Sequence, residues 1–167
     1  MRLRISATTS ATCDAGPPAQ RIHGDLHLGQ VLVAKDDFII VDFEGEPGRS
    51  LQERRAKSSP LKDVAGMVRS FSYAAHAAAL RRSPGAATDD GLQALARWER
   101  EATHHFIDGY RKAAAGLASV PADDDSFRAL ADLFLVEKAL YELRYEIANR
   151  PDWVEIPLRG LLELATT

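Results

Sequence analysis

The chain has a single cysteine, Cys13, among its 167 residues. No intrachain disulfide can form, and no Cys/His cluster has the spacing of a structural zinc site. A reducing cytoplasm is the expected location. Long apolar runs are also missing. Nothing approaches the roughly 18 apolar residues a bilayer span needs, and mean hydropathy is −0.22, so no membrane partner is expected. Charge of one sign is not in excess either. Lys and Arg number 21 against 24 Asp and Glu, for a net −3. A nucleic-acid-binding domain is normally basic, so that class is not expected. What remains is 46% hydrophobic and 27% charged, the composition of one ordinary globular domain.

Residues 1–20 differ from the rest. They are rich in Ser, Thr, Ala and Pro and carry Gly16-Pro17-Pro18. Two early arginines are followed by no apolar stretch, which argues against a secretory signal. A flexible tail or truncated linker is expected here, with a single domain over 21–167. No internal repeat is present.

Order begins near Ile22. Val31-Leu32-Val33 and Phe38-Ile39-Ile40-Val41 are short β-branched runs separated by Lys35-Asp36-Asp37, which supplies turn chemistry. They predict a β-hairpin. Gly45, Pro47 and Gly48 break the pattern, and 50–60 reads as a charged loop. The remainder reads as helix. Leu61, Val64, Ala65, Val68, Phe71 and Ala75 predict a first helix, with Pro60 suited to its opening turn. After a loop over 83–90, Leu92, Leu95, Phe106 and Tyr110 predict a second. Past a break at 116–125, a third is capped by Asp125 or Ser126 and carries Leu130, Leu133, Phe134, Leu140 and Leu143. It ends at Asn149-Arg150-Pro151, and a short last helix falls near 158–164. The expected fold is α+β and mainly α-helical, one small hairpin followed by a helical mass.

The candidate chemistry sits on the hairpin. Its entrance reads His23-Gly24-Asp25-Leu26-His27-Leu28-Gly29-Gln30 and its exit Ile40-Val41-Asp42-Phe43-Glu44-Gly45. A hairpin brings its ends together, so Asp25, Gln30 and Asp42 should meet at one mouth. Phosphoryl transfer needs such a set. One carboxylate accepts or orients the proton of the attacking hydroxyl, while an amide oxygen and a second carboxylate hold Mg²⁺ against the phosphates. Singly, each residue has an ordinary structural use, as a turn cap, a strand end or a core histidine. In the order His23, Asp25, Gln30, strand, turn, strand, Asp42 they carry more. A rival use of His23, Asp25 and His27 is a hydrolytic metal site, but no further histidine follows at a matching offset. His76, His104 and His105 fall on predicted helices, where surface or packing roles are expected.

The pattern H-G-D-x-x-x-x-Q followed by D-F-E resembles H-R-D-x-x-x-x-N and D-F-G of protein kinases. In its H-G-D form it is closer to the aminoglycoside phosphotransferase-like kinases of small molecules. With the flanks Glu46-Pro47, Glu53-Arg54-Arg55-Ala56-Lys57-Ser58-Ser59-Pro60-Leu61-Lys62-Asp63 and Tyr145-Glu146-Ile147-Ala148-Asn149-Arg150-Pro151-Asp152-Trp153, residues 21–164 resemble maltokinase, a family also found fused to trehalose synthase. The resemblance implies the C-terminal lobe of a protein-kinase-like fold, its hairpin carrying the catalytic and metal-binding loops. It implies ATP-dependent phosphorylation of maltose to maltose 1-phosphate, feeding α-glucan and glycogen synthesis and linked to trehalose metabolism, with ATP and Mg²⁺ as cofactors. Asp25 would be the catalytic base, Gln30 and Asp42 the Mg²⁺ ligands, and His23 a brace for the loop. Tyr141, Glu142, Arg144 and Tyr145 cluster at helical spacing, where this class places its acceptor, and are candidate substrate residues. Packing of the helix is their competing use. Residues 53–57 are candidates to meet substrate or phosphate, or a simply solvated run.

A kinase of this class also has an N-terminal lobe with a nucleotide-covering loop and a strand lysine. The residues before His23 contain no lysine and one glycine, Gly16. The expectation is therefore a C-terminal lobe alone, inactive or weak by itself. Two alternatives stay open: another small-molecule kinase of the same fold, or a non-catalytic lobe that binds a partner, such as a separately encoded N-lobe or a trehalose synthase chain.

Overall fold

A computed structural model describes residues 17–81 and 89–166. Most of the expected tail, with Cys13, and most of the 83–90 loop lie outside the described residues. The part of the tail that is described is not loose at its end. Gln20 pairs with Ser58 through two backbone hydrogen bonds of 2.9 Å.

A single 3₁₀ turn over Leu28–Gln30 leads into strand β1 (Val31–Ala34), which pairs antiparallel with β2 (Asp37–Ile40). The turn narrows to Lys35-Asp36, with Lys35 at φ 57°, and Asp37 already sits in the ladder opposite Ala34. The two strands form a ribbon of their own. Leu32, Val33, Phe38, Ile39 and Ile40 are all exposed, so neither face of the ribbon is buried among the described residues.

The charged loop expected over 50–60 contains a short helix, α1 (Leu51–Arg55). The signal is local. Ser50 and Glu53 form a reciprocal capping box, each side chain taking the other's backbone N–H, which satisfies two donors that otherwise have no partner in so short a segment. Helix α2 (Leu61–Leu80) starts after Pro60, as its sequence predicts. Helices α3 (Asp89–Ala113) and α4 (Asp124–Asn149) follow. The cap of α4 lies earlier than expected, at Asp123, whose carboxylate accepts from the Ser126 backbone N–H. A 3₁₀ turn over Pro151–Trp153 and helix α5 (Glu155–Thr166) close the chain. No helix among the described residues is long and apolar enough to cross a membrane.

The core lies where α2, α3 and α4 meet. Leu61, Val64, Phe127 and Ala131 are buried together, with Phe106, Tyr110 and Phe134 packed around them. Leu61 is fully buried. Leu61→Ala is expected to cost about 2–5 kcal/mol, read as a lower urea midpoint at unchanged slope. The face of α4 differs from the one expected. Leu133 and Leu140 are exposed. The buried stripe runs through Phe127, Ala131, Ala139, Glu142 and Glu146, at steps of three, four or eight along one side. Midway along the helix that stripe changes from apolar to acidic, and the acidic half faces the site.

Candidate functional site

Residues 23–28 lie along one face of α2. The Asp63 carboxylate, in the first turn of the helix, accepts from the backbone N–H of His23 at 2.7 Å and of Gly24 at 2.8 Å. One turn on, a Cβ at Gly66 would stand 2.5 Å from the Leu26 carbonyl oxygen, so only glycine admits the loop there. A further turn on, the Ser70 hydroxyl accepts from the Leu28 N–H at 3.2 Å. Asp63, Gly66 and Ser70 follow the helical repeat and form a track for the loop. Burial raises the Asp63 carboxyl above its ordinary range, opposed by the two backbone bonds.

His23 is buried and spends both ring nitrogens on backbone. Nε2 lies 2.8 Å from the Val41 carbonyl, and Nδ1 lies 3.3 Å from the Asp25 N–H. The bonds assign a neutral ring with the proton on Nε2. His23 therefore ties the Asp25 backbone to the residue before Asp42 and has no nitrogen free for a metal, which disfavours the hydrolytic metal site. Among the described residues no cluster of three or more His, Cys, Asp or Glu side chains is arranged to hold a metal.

The hairpin brings together Gln30 and Asp42, two of the three residues expected at its mouth; the contacts of Asp25 lie elsewhere. Val31 stands opposite Ile40, the Val41 N–H reaches the Gln30 carbonyl at 3.0 Å, and the Gln30 amide donates to Asp42 Oδ2 at 2.9 Å. Asp42 lies two residues beyond β2 rather than at its end, in a left-handed conformation at φ 64°. That kink, uncommon for a residue with a side chain, marks a position where local geometry has been set against propensity.

Asp25 faces a different set. Its Oδ1 is 3.4 Å from Lys138 Nζ on α4. Lys138 also stands 3.7 Å from Glu46 and over the Tyr141 ring. These groups border an open cleft of about 670 Å³ whose lining includes Asp25, Glu46, Lys138, Tyr141, Glu142, Tyr145, Glu146 and Arg150. Four carboxylates there outnumber the two cations. Of the four α4 residues singled out as substrate candidates, Tyr141, Glu142 and Tyr145 line this cleft. Arg144 is exposed and does not. Burial, then a hydrogen bond to Glu46, holds the Tyr141 hydroxyl well above the usual phenol range.

Behind the cleft is a buried network. Glu146 is 1% exposed, accepts from Tyr73 Oη at 2.9 Å, and takes two bonds from the Arg150 guanidinium at 2.9 and 2.6 Å. Arg150 is held between the Tyr145 and Trp153 rings. Glu142 pairs with Arg69 of α2 at 2.8 Å. Residues 53–57 lie elsewhere. Glu53 caps α1, and Glu53, Arg54, Ala56 and Lys57 line a smaller recess of about 190 Å³.

Several of these residues escape a reading of the sequence alone. Asp63 looks like an ordinary acid in a first helical turn. Glu46 and Lys138 carry no motif. Glu142 and Glu146 do leave a trace, being spaced four apart in register with an apolar stripe, where an acid is placed to be buried and paired.

No family model matches the chain. Curated relatives include glucosamine kinase of Streptacidiphilus jiangxiensis, 32% identical over 151 residues that make up 90% of this chain and 32% of the relative. Glucosamine kinase of Mycolicibacterium smegmatis is 33% identical over 158 residues, 92% of this chain and 37% of the relative. Similar solved structures include a glucosamine kinase at TM-score 0.75 and 28% identity, over 91% of this chain and 35% of that one. A glucosamine kinase in complex with glucosamine, ADP and inorganic phosphate matches at TM-score 0.73 and 30% identity, over 89% of this chain and 36% of that one. The chain spans about a third of the length of these relatives. These names overturn the maltokinase resemblance. With it go maltose as the small-molecule partner and the link to trehalose synthase, and they lend no support to the wider protein-kinase-like assignment. The physical reason is that the maltokinase expectation rests on loop motifs whose expected role is to handle phosphate and metal. Any sugar kinase needs that chemistry, so it says nothing of which sugar accepts the phosphoryl group.

Proposed function

We propose that this chain carries the acceptor and metal side of an ATP-dependent sugar kinase, and that its acceptor is an amino sugar of the glucosamine type. The reading rests above all on the meeting of Asp25 with a cleft in which carboxylates exceed cations. An ammonium-bearing sugar is positively charged at neutral pH, and a pocket of a few hundred Å³ with a few placed polar groups suits a monosaccharide. The names of the relatives support the same acceptor and nucleotide.

In this reading Asp25 takes or orients the proton of the attacking hydroxyl. Lys138 fixes its carboxylate from the α4 side. His23 and Asp63 act through the backbone, holding the loop that presents Asp25. Gln30 and Asp42 would hold Mg²⁺. The donor set fits if Gln30 offers its amide oxygen in place of the Nε2–H that now bonds Asp42, since an amide oxygen and a carboxylate are ligands of the kind Mg²⁺ accepts, alongside its waters and the nucleotide phosphates. When bound, the ion would neutralise phosphate charge. Arg150, Tyr73 and Trp153 brace the far wall of the cleft through Glu146.

Calorimetry tests the acceptor directly. Glucosamine is expected to bind, glucose more weakly and maltose least; maltose binding with no response to glucosamine would overturn the reading. Asp42→Ala is expected to abolish the Mg²⁺ dependence of nucleotide binding while leaving glucosamine binding intact. An unchanged Mg²⁺ response would place the metal elsewhere.

A further inference from the structure

Gly160 lies in α5, outside the cleft and its lining. A Cβ there would stand 2.1 Å from Arg69 Nη1 and 3.0 Å from its Cζ. Clashes with the tip of a long side chain are usually relieved by moving the tip. Here the tip is pinned. Arg69 is buried, its Nε donates to Glu142 Oε2 at 2.8 Å, and its Nη2 donates to the Ile156 carbonyl at 3.2 Å. Both side chains of the pair are more than nine-tenths buried. The guanidinium cannot retreat without leaving a buried carboxylate unpaired, which is strongly unfavourable.

We propose that Gly160 is a positioning residue for the acceptor cleft: its missing side chain admits the Arg69 guanidinium beside α5, and Arg69 in turn holds Glu142 fixed at the cleft wall. Helix α5 thereby orders the wall of a site it does not touch. The groups that face Glu142 are Arg69 and Tyr73 from α2 and Lys138 and Glu146 from α4. Arg69 makes the direct bond among them. Burial already pushes the Glu142 carboxyl up, and Arg69 is the largest influence in the other direction. The consequence for sugar affinity rests on the amino-sugar reading above; the positioning of Glu142 does not.

The test is a double-mutant cycle with two readouts. The Glu142 carboxyl is followed by NMR through a pH titration, and glucosamine affinity by calorimetry. Gly160→Ala is expected to move the Glu142 titration midpoint up by about one pH unit and to weaken glucosamine binding by about tenfold or more. In an Arg69→Lys background, where the Nη1 atom is gone, Gly160→Ala should have little further effect on either. Equal losses in both backgrounds, or a Glu142 titration that Gly160→Ala leaves unchanged, would overturn the proposal. If the parent chain binds no glucosamine but the titration moves as described, the amino-sugar reading fails and the positioning role stands. If Gly160→Ala prevents folding, recovery in the Arg69→Lys background supports the same clash, and failure in both counts against it.

Discussion

Asp25→Asn is expected to preserve the fold and glucosamine binding and to lower phosphoryl transfer by about two to four orders of magnitude, the range that a positioned general base contributes. Asn keeps the size of the side chain and the backbone bond to His23 Nδ1, which comes from the Asp25 N–H and not from its carboxylate. The loop therefore has no reason to move. The negative charge is lost, and Lys138 keeps Glu46 as its second acidic neighbour. The measurement is ADP release with glucosamine and Mg·ATP, alongside thermal melting of parent and variant. A variant with the parent's rate would show that another group takes the proton. A variant that melts far below the parent would mean that Asp25 is structural, and the assignment of base would lose its ground.

The second large effect belongs to a residue that touches no substrate. Asp63→Ala leaves two part-buried backbone donors, those of His23 and Gly24, without their carboxylate. Each unsatisfied donor costs about 1–3 kcal/mol, so the variant should lose at least about 2 kcal/mol and lose Asp25-dependent transfer with it. Asp63→Asn separates the two consequences. It keeps the volume and one acceptor but turns an N–H₂ toward a backbone N–H. Its stability should fall less than that of the alanine variant, while transfer stays impaired because the loop is held at one point instead of two. The sign of the pH dependence also follows. The Asp63 carboxyl titrates above its ordinary value of 3.8 in the folded chain. The folded state therefore favours the protonated form. The stability so gained is fully present below the ordinary value and is lost as pH rises through the raised one. Neither variant can titrate at position 63, so their urea midpoints should lack that step between acid and neutral pH. A step that persists in Asp63→Asn would assign it to another carboxyl.

The hairpin, three of the long helices and the pairing of Gln30 with Asp42 were legible because each depends on neighbours in sequence. Short β-branched runs, turn residues between them and the three- to four-residue repeat of apolar side chains are all local signals. Two further local signals lie in the sequence. Ser50 and Glu53 spell a capping box inside what reads as a charged loop, and Asp123 competes with Asp125 and Ser126 as a cap. The site itself was legible only in part. The loop residues His23, Asp25, Gln30 and Asp42 lie within one short stretch of chain. The wall opposite them comes from α4, more than a hundred residues on, and nothing in the sequence of either stretch says which face of that helix turns toward Asp25. Leu133 and Leu140 look like core from their composition, yet the buried stripe lies on the other side and carries Glu142 and Glu146. The acceptor was misread for a related reason. Motifs for handling phosphate are short and contiguous, whereas preference among sugars is spread over side chains brought together from separate elements.

The ribbon of β1 and β2 has a consequence for handling the protein. Its apolar side chains face water on both sides, and a two-stranded sheet has two open edges, each a row of unpaired N–H and C=O groups. Such a ribbon pairs readily with its own copies. Among the described residues the hairpin is therefore the place where self-association is expected, and light scattering of a concentrated sample would report on those eight residues rather than on the stability of the domain.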